Sequence, residues 1–320
     1  MRKWKAWLFA LAVFIGIGMI GTAQIRAEAQ NLNQGKRVLF ISSYSYGWDT
    51  VQTQIEGIKA GVDENTTVDY EFMDTKRFRT KESTEMFYEM LKYHLDHSDP
   101  YDVVIVGDDA ALRFAMAFRE ELFDGIPIVF EGVNDEEYAL EAAKNPLVTG
   151  ILEKLSVEKN IDMALKVNPS ADKVVAILDD SVTGEAERKN FYSAEAKYPE
   201  LEFSEINSSE LTTAKLQQAV SKVDENTILI YIVMSNDGSG KQYTNAQAIR
   251  MVVTYSKVPV YRMVEDGIGA GLLGGNVVSM YKSGEIAAQM AMDIANGTDS
   301  AEINVVKDSP NIYCVDEDVM

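Results

Sequence analysis

Several things are scarce in this 320-residue chain, and each scarcity excludes a chemistry. There is one cysteine, Cys314, so an intramolecular disulfide framework and a CxxC zinc or redox site are excluded. Histidine occurs only at His94 and His97, three residues apart within a charged stretch containing Lys92, Asp96 and Asp99. That setting reads as helix surface rather than a metal grip, and neither histidine stands at a strand end to act as a base. Positive charge is short: 30 Lys and Arg face 50 Asp and Glu, for a net charge of −20. Nucleic acid as a partner is excluded, because phosphate neutralisation needs a basic footprint. The Gly-x-Ser-x-Gly elbow of serine hydrolases is also missing. No metal and no cofactor is expected.

One long apolar run is present, at the N-terminus. Arg2, Lys3 and Lys5 precede twenty uncharged residues from Ala6 to Ile25, and Ala27-Glu28-Ala29 supplies a small-x-small cleavage pattern. Residues 1–29 therefore read as a secretory signal peptide, or as an uncleaved anchor of bilayer-spanning length. The remainder is expected outside the cytoplasm, in the periplasm or on the outer face of the cell membrane. No cysteine near position 25 is available to take a lipid.

From residue 36 the chain alternates strand and helix. Val38–Ile41, Val68–Met73, Val103–Val106 and Ile128–Phe130 are strand-length apolar runs. Between them, sets such as Val51, Ile55, Ile58 and Val62 recur at helical spacing. Continuous apolar strands imply burial on both faces, as in a parallel sheet sandwiched by helices. The grammar restarts with Val174–Leu178, Leu201–Ile206, Ile228–Val233 and Val258–Met263, and Pro146–Leu152 reads as a crossing between two series. The expected fold is α/β, with two doubly wound parallel-sheet lobes.

Ligands of open α/β sheets bind beyond the strands' carboxyl ends. Those ends nominate Ser43, Tyr44, Tyr46, Trp48, Asp74, Asp108, Asp109, Glu131 and Asn134 in the first series. In the second series they nominate Asp180, Thr183, Ser235, Asp237 and Glu265. Aromatic walls with a few directional polar groups suit a small polar solute. The aromatics at 44, 46 and 48 form a stacking wall, and Asp108, Asn134, Asp180 or Asp237 hold amino or hydroxyl groups. A free ammonium suits this rim and a strongly anionic ligand does not. Asp49, Asp109, Thr183 and Asn245 also stand where helix N-caps stand. Gly269–Gly274 spells the dinucleotide fingerprint but lies late and precedes strand-like Val277-Val278, so these read as loop glycines. Gly238–Lys241 lacks the earlier glycine and following Ser/Thr of a P-loop.

The run Arg37–Tyr44 with Trp48 and Gly57-Ile58, Phe72–Arg77, Val106–Ala110, Pro127–Asn134 and Gly271–Gly275 followed by Gly284–Ala288 resembles the ABC transporter substrate-binding protein family. The resemblance covers 36 to about 318 and implies a type 1 periplasmic-binding-protein-like clamp with a three-segment hinge. It implies lobe 1 at 36–148 plus 278–302 and lobe 2 at 149–277 plus 303–320, with an amino-acid-like solute between them. Segments 237–240 and 310–316 are more similar to the sensor subset, and the chain stops at Met320. The expectation is therefore a ligand-sensing domain whose membrane partner is its own histidine kinase or diguanylate cyclase module. The alternative is a free solute-binding component serving an ABC permease. A distant alternative is an exported hydrolase using the paired carboxylates Asp108 and Asp109.

Overall fold

The computed structural model describes residues 35–320; the leader reading of residues 1–29 lies outside them. The apolar runs pair as anticipated. β1 (Arg37–Ser42), β2 (Thr67–Phe72), β3 (Val103–Gly107), β4 (Ile128–Val133) and β5 (Val148–Leu152) form a parallel sheet in the order β2-β1-β3-β4-β5. Parallel neighbours need crossovers, supplied by α1 (Asp49–Gly61), α2 (Lys81–Asp96), α3 (Asp108–Ala117) with α4 (Arg119–Leu122), and α5 (Glu136–Ala142). The two-residue period divides each strand between two cores. Leu39, Ile41, Val104 and Val106 meet Phe87, Leu91 and Phe114 on one face. Val38, Phe40, Val103 and Ile105 meet Val51, Ile55 and Ile58 on the other.

After α6 (Val157–Val167) a second sheet assembles from β6 (Lys173–Leu178), β7 (Glu202–Asn207), β8 (Thr227–Tyr231), β9 (Val260–Arg262), β10 (Gly274–Val277) and β11 (Ile312–Val315). Its order is β11-β10-β9-β8-β6-β7, parallel except for β11. Helices α7 (Val182–Ser193), α8 (Thr213–Ser221) and α9 (Asn245–Tyr255) connect it. Gly269, Gly271 and Gly274 all have left-handed backbones in the loop entering β10, as loop glycines require. Among the described residues no helix is long and apolar enough to cross a membrane.

The next helix, α10 (Met280–Ala295), returns to the first lobe and lies along α1. Glycine allows the approach: a Cβ on Gly57 would sit 2.0 Å from the Tyr281 carbonyl oxygen, and one on Gly284 would sit 2.4 Å from that of Gln54. Ala287, Ala288 and Ala291 then close the core under β1 and β3.

Two expected boundaries shift. Residues 148–152, read as a crossing, are the fifth strand of the first sheet, because this apolar run is buried throughout. The first crossing therefore falls at 153–156 rather than at 149. Residues 300–306 also stay with the first lobe. Ser300 Oγ donates to Pro146 O (2.8 Å), Thr149 Oγ1 to Ile303 O (2.8 Å) and Val306 N to Gly150 O (2.9 Å). The last crossing is 307–311, and Asn311 Nδ2 ties it to the first by donating to Lys154 O (3.0 Å) and Ser156 Oγ (3.1 Å). Between β10, which ends at Val277, and α10, which begins at Met280, the chain passes from the second sheet back to the first lobe. Buried Asn160 steadies its approach, donating to Asn276 O (2.8 Å) and accepting from Asn276 N (3.0 Å).

Candidate functional site

The carboxyl ends of both sheets face one another, and the first sheet carries the unusual chemistry. Asp108 follows β3 with φ +69, a left-handed conformation that a residue other than glycine adopts at a cost. Its side chain is turned inward and buried, with Gln54 Nε2 of α1 donating to Oδ2 at 3.3 Å. Gly132, also left-handed, makes room: a Cβ there would stand 3.3 Å from Gln54 Nε2 and 3.7 Å from the Asp108 carboxyl carbon. Beside it Glu131 is fully buried, and neither of its carboxyl oxygens has a hydrogen-bond partner among the described residues. Gln54 Oε1 is equally unpartnered. Acceptors outnumber donors in this pocket.

Burial dominates the titration of these acids. Asp108 is pushed up to about 7 by loss of solvent, with the Asp109 charge adding to the rise and Gln54 opposing it. Glu131 is pushed up to about 8 by burial and then by Asp108, eased by Ser283 of α10 and Gln54. Glu153, just past β5, is held well above the carboxylate range by burial and by Asp108, Glu131, Asp109 and, from α7 of the second lobe, Glu187. Three neighbouring carboxyls thus favour their neutral forms until something positive arrives.

Above them lies an aromatic pair, Tyr44 and Trp48, with ring centres 5.9 Å apart. Burial, and then the Asp108, Asp109 and Glu153 charges, push the Tyr44 phenol well above its usual range. The Lys76 ammonium sits over both rings, 4.3 Å from the Tyr44 centre and 5.0 Å from that of Trp48. On the far side of Tyr44 from the buried acids a cavity of about 640 Å³ is lined by Tyr44, Lys76, Arg79, Arg113 and Phe114 of the first lobe and Thr183 of the second.

Other nominated residues make contacts within the first lobe. Ser43 donates to Gly107 O (2.7 Å) and accepts from Ala111 N (2.8 Å), fastening β1 to α3. Asp109 accepts from Asp135 N (3.0 Å) and Asn134 N (3.4 Å), so it braces the turn after β4. Asn134 donates its own amide back to Gly132 O (3.4 Å). Asp74, left-handed at φ 55, accepts from Arg77 Nε (2.6 Å). Tyr46 packs edge-on against Phe72, away from the Tyr44–Trp48 pair, and is 59% exposed.

In the second lobe the strand-end carboxylates are saturated. Asp179 accepts from the backbone and hydroxyl of both Ser181 and Ser235, at 2.5 to 3.0 Å. Burial acts to raise it, yet those donors hold it below the usual carboxylate range. Asp237 accepts from Ser239 N and Oγ, Lys241 N, Thr213 Oγ1 and Tyr243 OH; against burial, they hold it far below that range. Asp180 pairs with Arg188 Nη2 (2.9 Å) and Asn207 Nδ2 (2.8 Å). Glu265 is raised by burial and eased by Ser279. Ser181 rather than Thr183 caps α7, and Thr244 rather than Asn245 caps α9 through a capping box with Gln247.

Of the nominated residues the structure therefore gathers Tyr44, Trp48, Asp108 and Glu131, with Thr183 opposite. Sequence reading missed Lys76, Gln54, Glu153 and Glu187. Lys76 lay inside a strand-end run already singled out; Glu153 was hidden by assigning 149–152 to the other lobe. Among the described residues no group of three or more His, Cys, Asp or Glu side chains is arranged to hold a metal ion.

Comparison with known proteins follows the same geometry. A curated tyrosine-binding protein of Clostridioides difficile is 22% identical over 199 residues, covering 61% of this chain and 56% of that protein's length. A ligand-free, open substrate-binding protein with adhesive properties from Clostridium difficile superposes with TM-score 0.66 at 17% identity, over 89% of this chain and 93% of that one. An ABC domain from Streptococcus pneumonia in complex with L-Trp gives TM-score 0.57 at 15% identity, with the same coverages. At these identities the solved structures bear on fold alone, and the fold is the two-lobed type 1 periplasmic-binding-protein arrangement. The family described as ABC transporter substrate binding protein matches residues 47–316. With that match spanning most of its length, this chain belongs to the ABC transporter substrate-binding protein family.

Proposed function

We propose that the protein binds an amino-acid-like solute carrying a free ammonium group in the cleft between its lobes, outside the cytoplasm, and delivers it to an ABC permease. The observation that carries this reading is the set of unpartnered buried acceptors, both Glu131 carboxyl oxygens and Gln54 Oε1, beside Asp108 and beneath the Tyr44–Trp48 wall. A pocket of buried acids undersupplied with donors favours a ligand that brings N–H donors and a positive charge to stabilise their ionised forms. The relative named for tyrosine binding, 22% identical, supports an amino acid.

Transport is preferred to sensing. Segment 237–240, which suggested a sensor, is a loop closed on the Asp237 carboxylate by its own donors. The family match likewise supports a transport component. The three crossings act as the hinge in this reading. A ligand touching both lobes favours the closed state by its differential affinity, and a micromolar ligand has about −8 kcal/mol in total to draw on.

Thermal-shift screening of amino acids, polyols, sugars and phosphate esters tests the reading. Stabilisation by an amino acid is expected; a tight phosphate ester with no response to any amino acid overturns it.

A further inference from the structure

Lys76 is placed oddly for a lysine with two acids, Asp108 and Glu153, and one other cation, Arg79, close enough to act on it. Among the described residues its ammonium makes no hydrogen bond and no ion pair, although it has three N–H donors to offer. The Asp108 and Glu153 carboxyls are near enough to act on it electrostatically, and Glu131 and Gln54 Oε1 remain without donors. Instead of joining them it rests on the faces of Tyr44 and Trp48. Two rings holding one cation beside a carboxyl is the arrangement that recognises an organic ammonium.

We infer that Lys76 is a tethered occupant of the solute's ammonium seat, and that the solute's own ammonium displaces it on binding. This rests on the amino-acid reading above and adds a specificity element to it. Two positive charges cannot share one seat without mutual repulsion. Lys76 therefore excludes weakly held cations and leaves only for a ligand that also gains the acceptors beneath. Burial lowers the lysine's own proton affinity, consistent with a group kept out of water until it is displaced. The inference has an unusual sign: removing a lysine from the site strengthens amine binding. A lysine that grips the solute's carboxylate does the opposite.

The test is calorimetric titration of the wild-type protein, Lys76→Met and Lys76→Arg with L-tyrosine, tyramine and 3-(4-hydroxyphenyl)propionate. Lys76→Met is expected to bind tyramine about fivefold more tightly than wild type, the order of one cation–π contact, with no gain for the propionate. Lys76→Arg keeps a cation on the rings and gains nothing. In the wild-type protein, saturating tyramine is expected to speed acylation of Lys76, followed by mass spectrometry. Weaker tyramine binding by Lys76→Met, or protection of Lys76 by tyramine, overturns the inference. If L-tyrosine binds and Lys76→Met gains nothing for tyramine, the occupant idea falls while the amino-acid reading stands. If neither protein binds any amine, both fall together.

Discussion

The two lobes use one local grammar, a parallel strand ending in an acid, for opposite purposes. Asp179 and Asp237 in the second lobe are surrounded by hydroxyl and backbone donors and held as carboxylates. Asp108 and Glu131 in the first are buried with a donor deficit and pushed toward the neutral acid. A carboxyl's position at a strand end therefore does not say whether it binds. What differs is how many donors the fold itself supplies: the saturated carboxylates close loops, and the undersupplied ones are those the proposed function assigns to the ligand.

The contrast can be broken most forcefully in the second lobe. Asp179→Ala leaves the Ser181 and Ser235 donors unmet and is expected to cost about 3 kcal/mol, lowering Tm by about 10 °C in scanning calorimetry. Asp108→Asn is expected to leave Tm unchanged or raised, because a buried acid is replaced by a neutral isostere. It should weaken binding of an ammonium-bearing solute about thirtyfold by calorimetric titration. A large Tm loss in Asp108→Asn with unaltered affinity would erase the distinction between the lobes.

The pH response sharpens the same point. Between the usual carboxylate range and about 8, the folded protein holds protons on Asp108 and Glu131 that the unfolded chain releases. This stabilisation is complete below the unfolded values and is lost as pH rises through the folded ones. The Tm of the ligand-free protein is thus expected to fall by about 5 °C from pH 5 to pH 8, and Glu131→Gln to flatten that slope. Affinity for an ammonium ligand moves the other way, rising over the same interval as Asp108 ionises. The smallest expected effect is at the wall: Trp48→Ala weakens amine binding about fivefold with little change in Tm.

Most of the fold was legible because buried parallel strands are apolar without interruption, a pattern short enough to read by eye. The exceptions are instructive. Val148–Leu152 was misread as a link because Pro146 marked it as a break. β11 escaped because Ile312–Val315 is an antiparallel edge strand, only partly buried. The site was half legible. Asp108 and Glu131 stood where strand ends predict, but Gln54 lies mid-helix, where an isolated amide reads as solvent-facing. Asp237 and Asp180 were nominated on the same logic as Asp108. Their partners Thr213, Tyr243, Arg188 and Asn207 come from elsewhere in the chain, so their hydrogen bonds could not be read in one dimension.

The return of α10 to α1 has a consequence for how the protein is made. One face of the first sheet, with Val38, Phe40, Val103 and Ile105, is covered by α1 alone until residues 280–295 have been produced to complete it. The half synthesised first thus waits for nearly the whole chain before its core can close. Contacts between residues more than two hundred positions apart form slowly. A chain built this way completes its first core last.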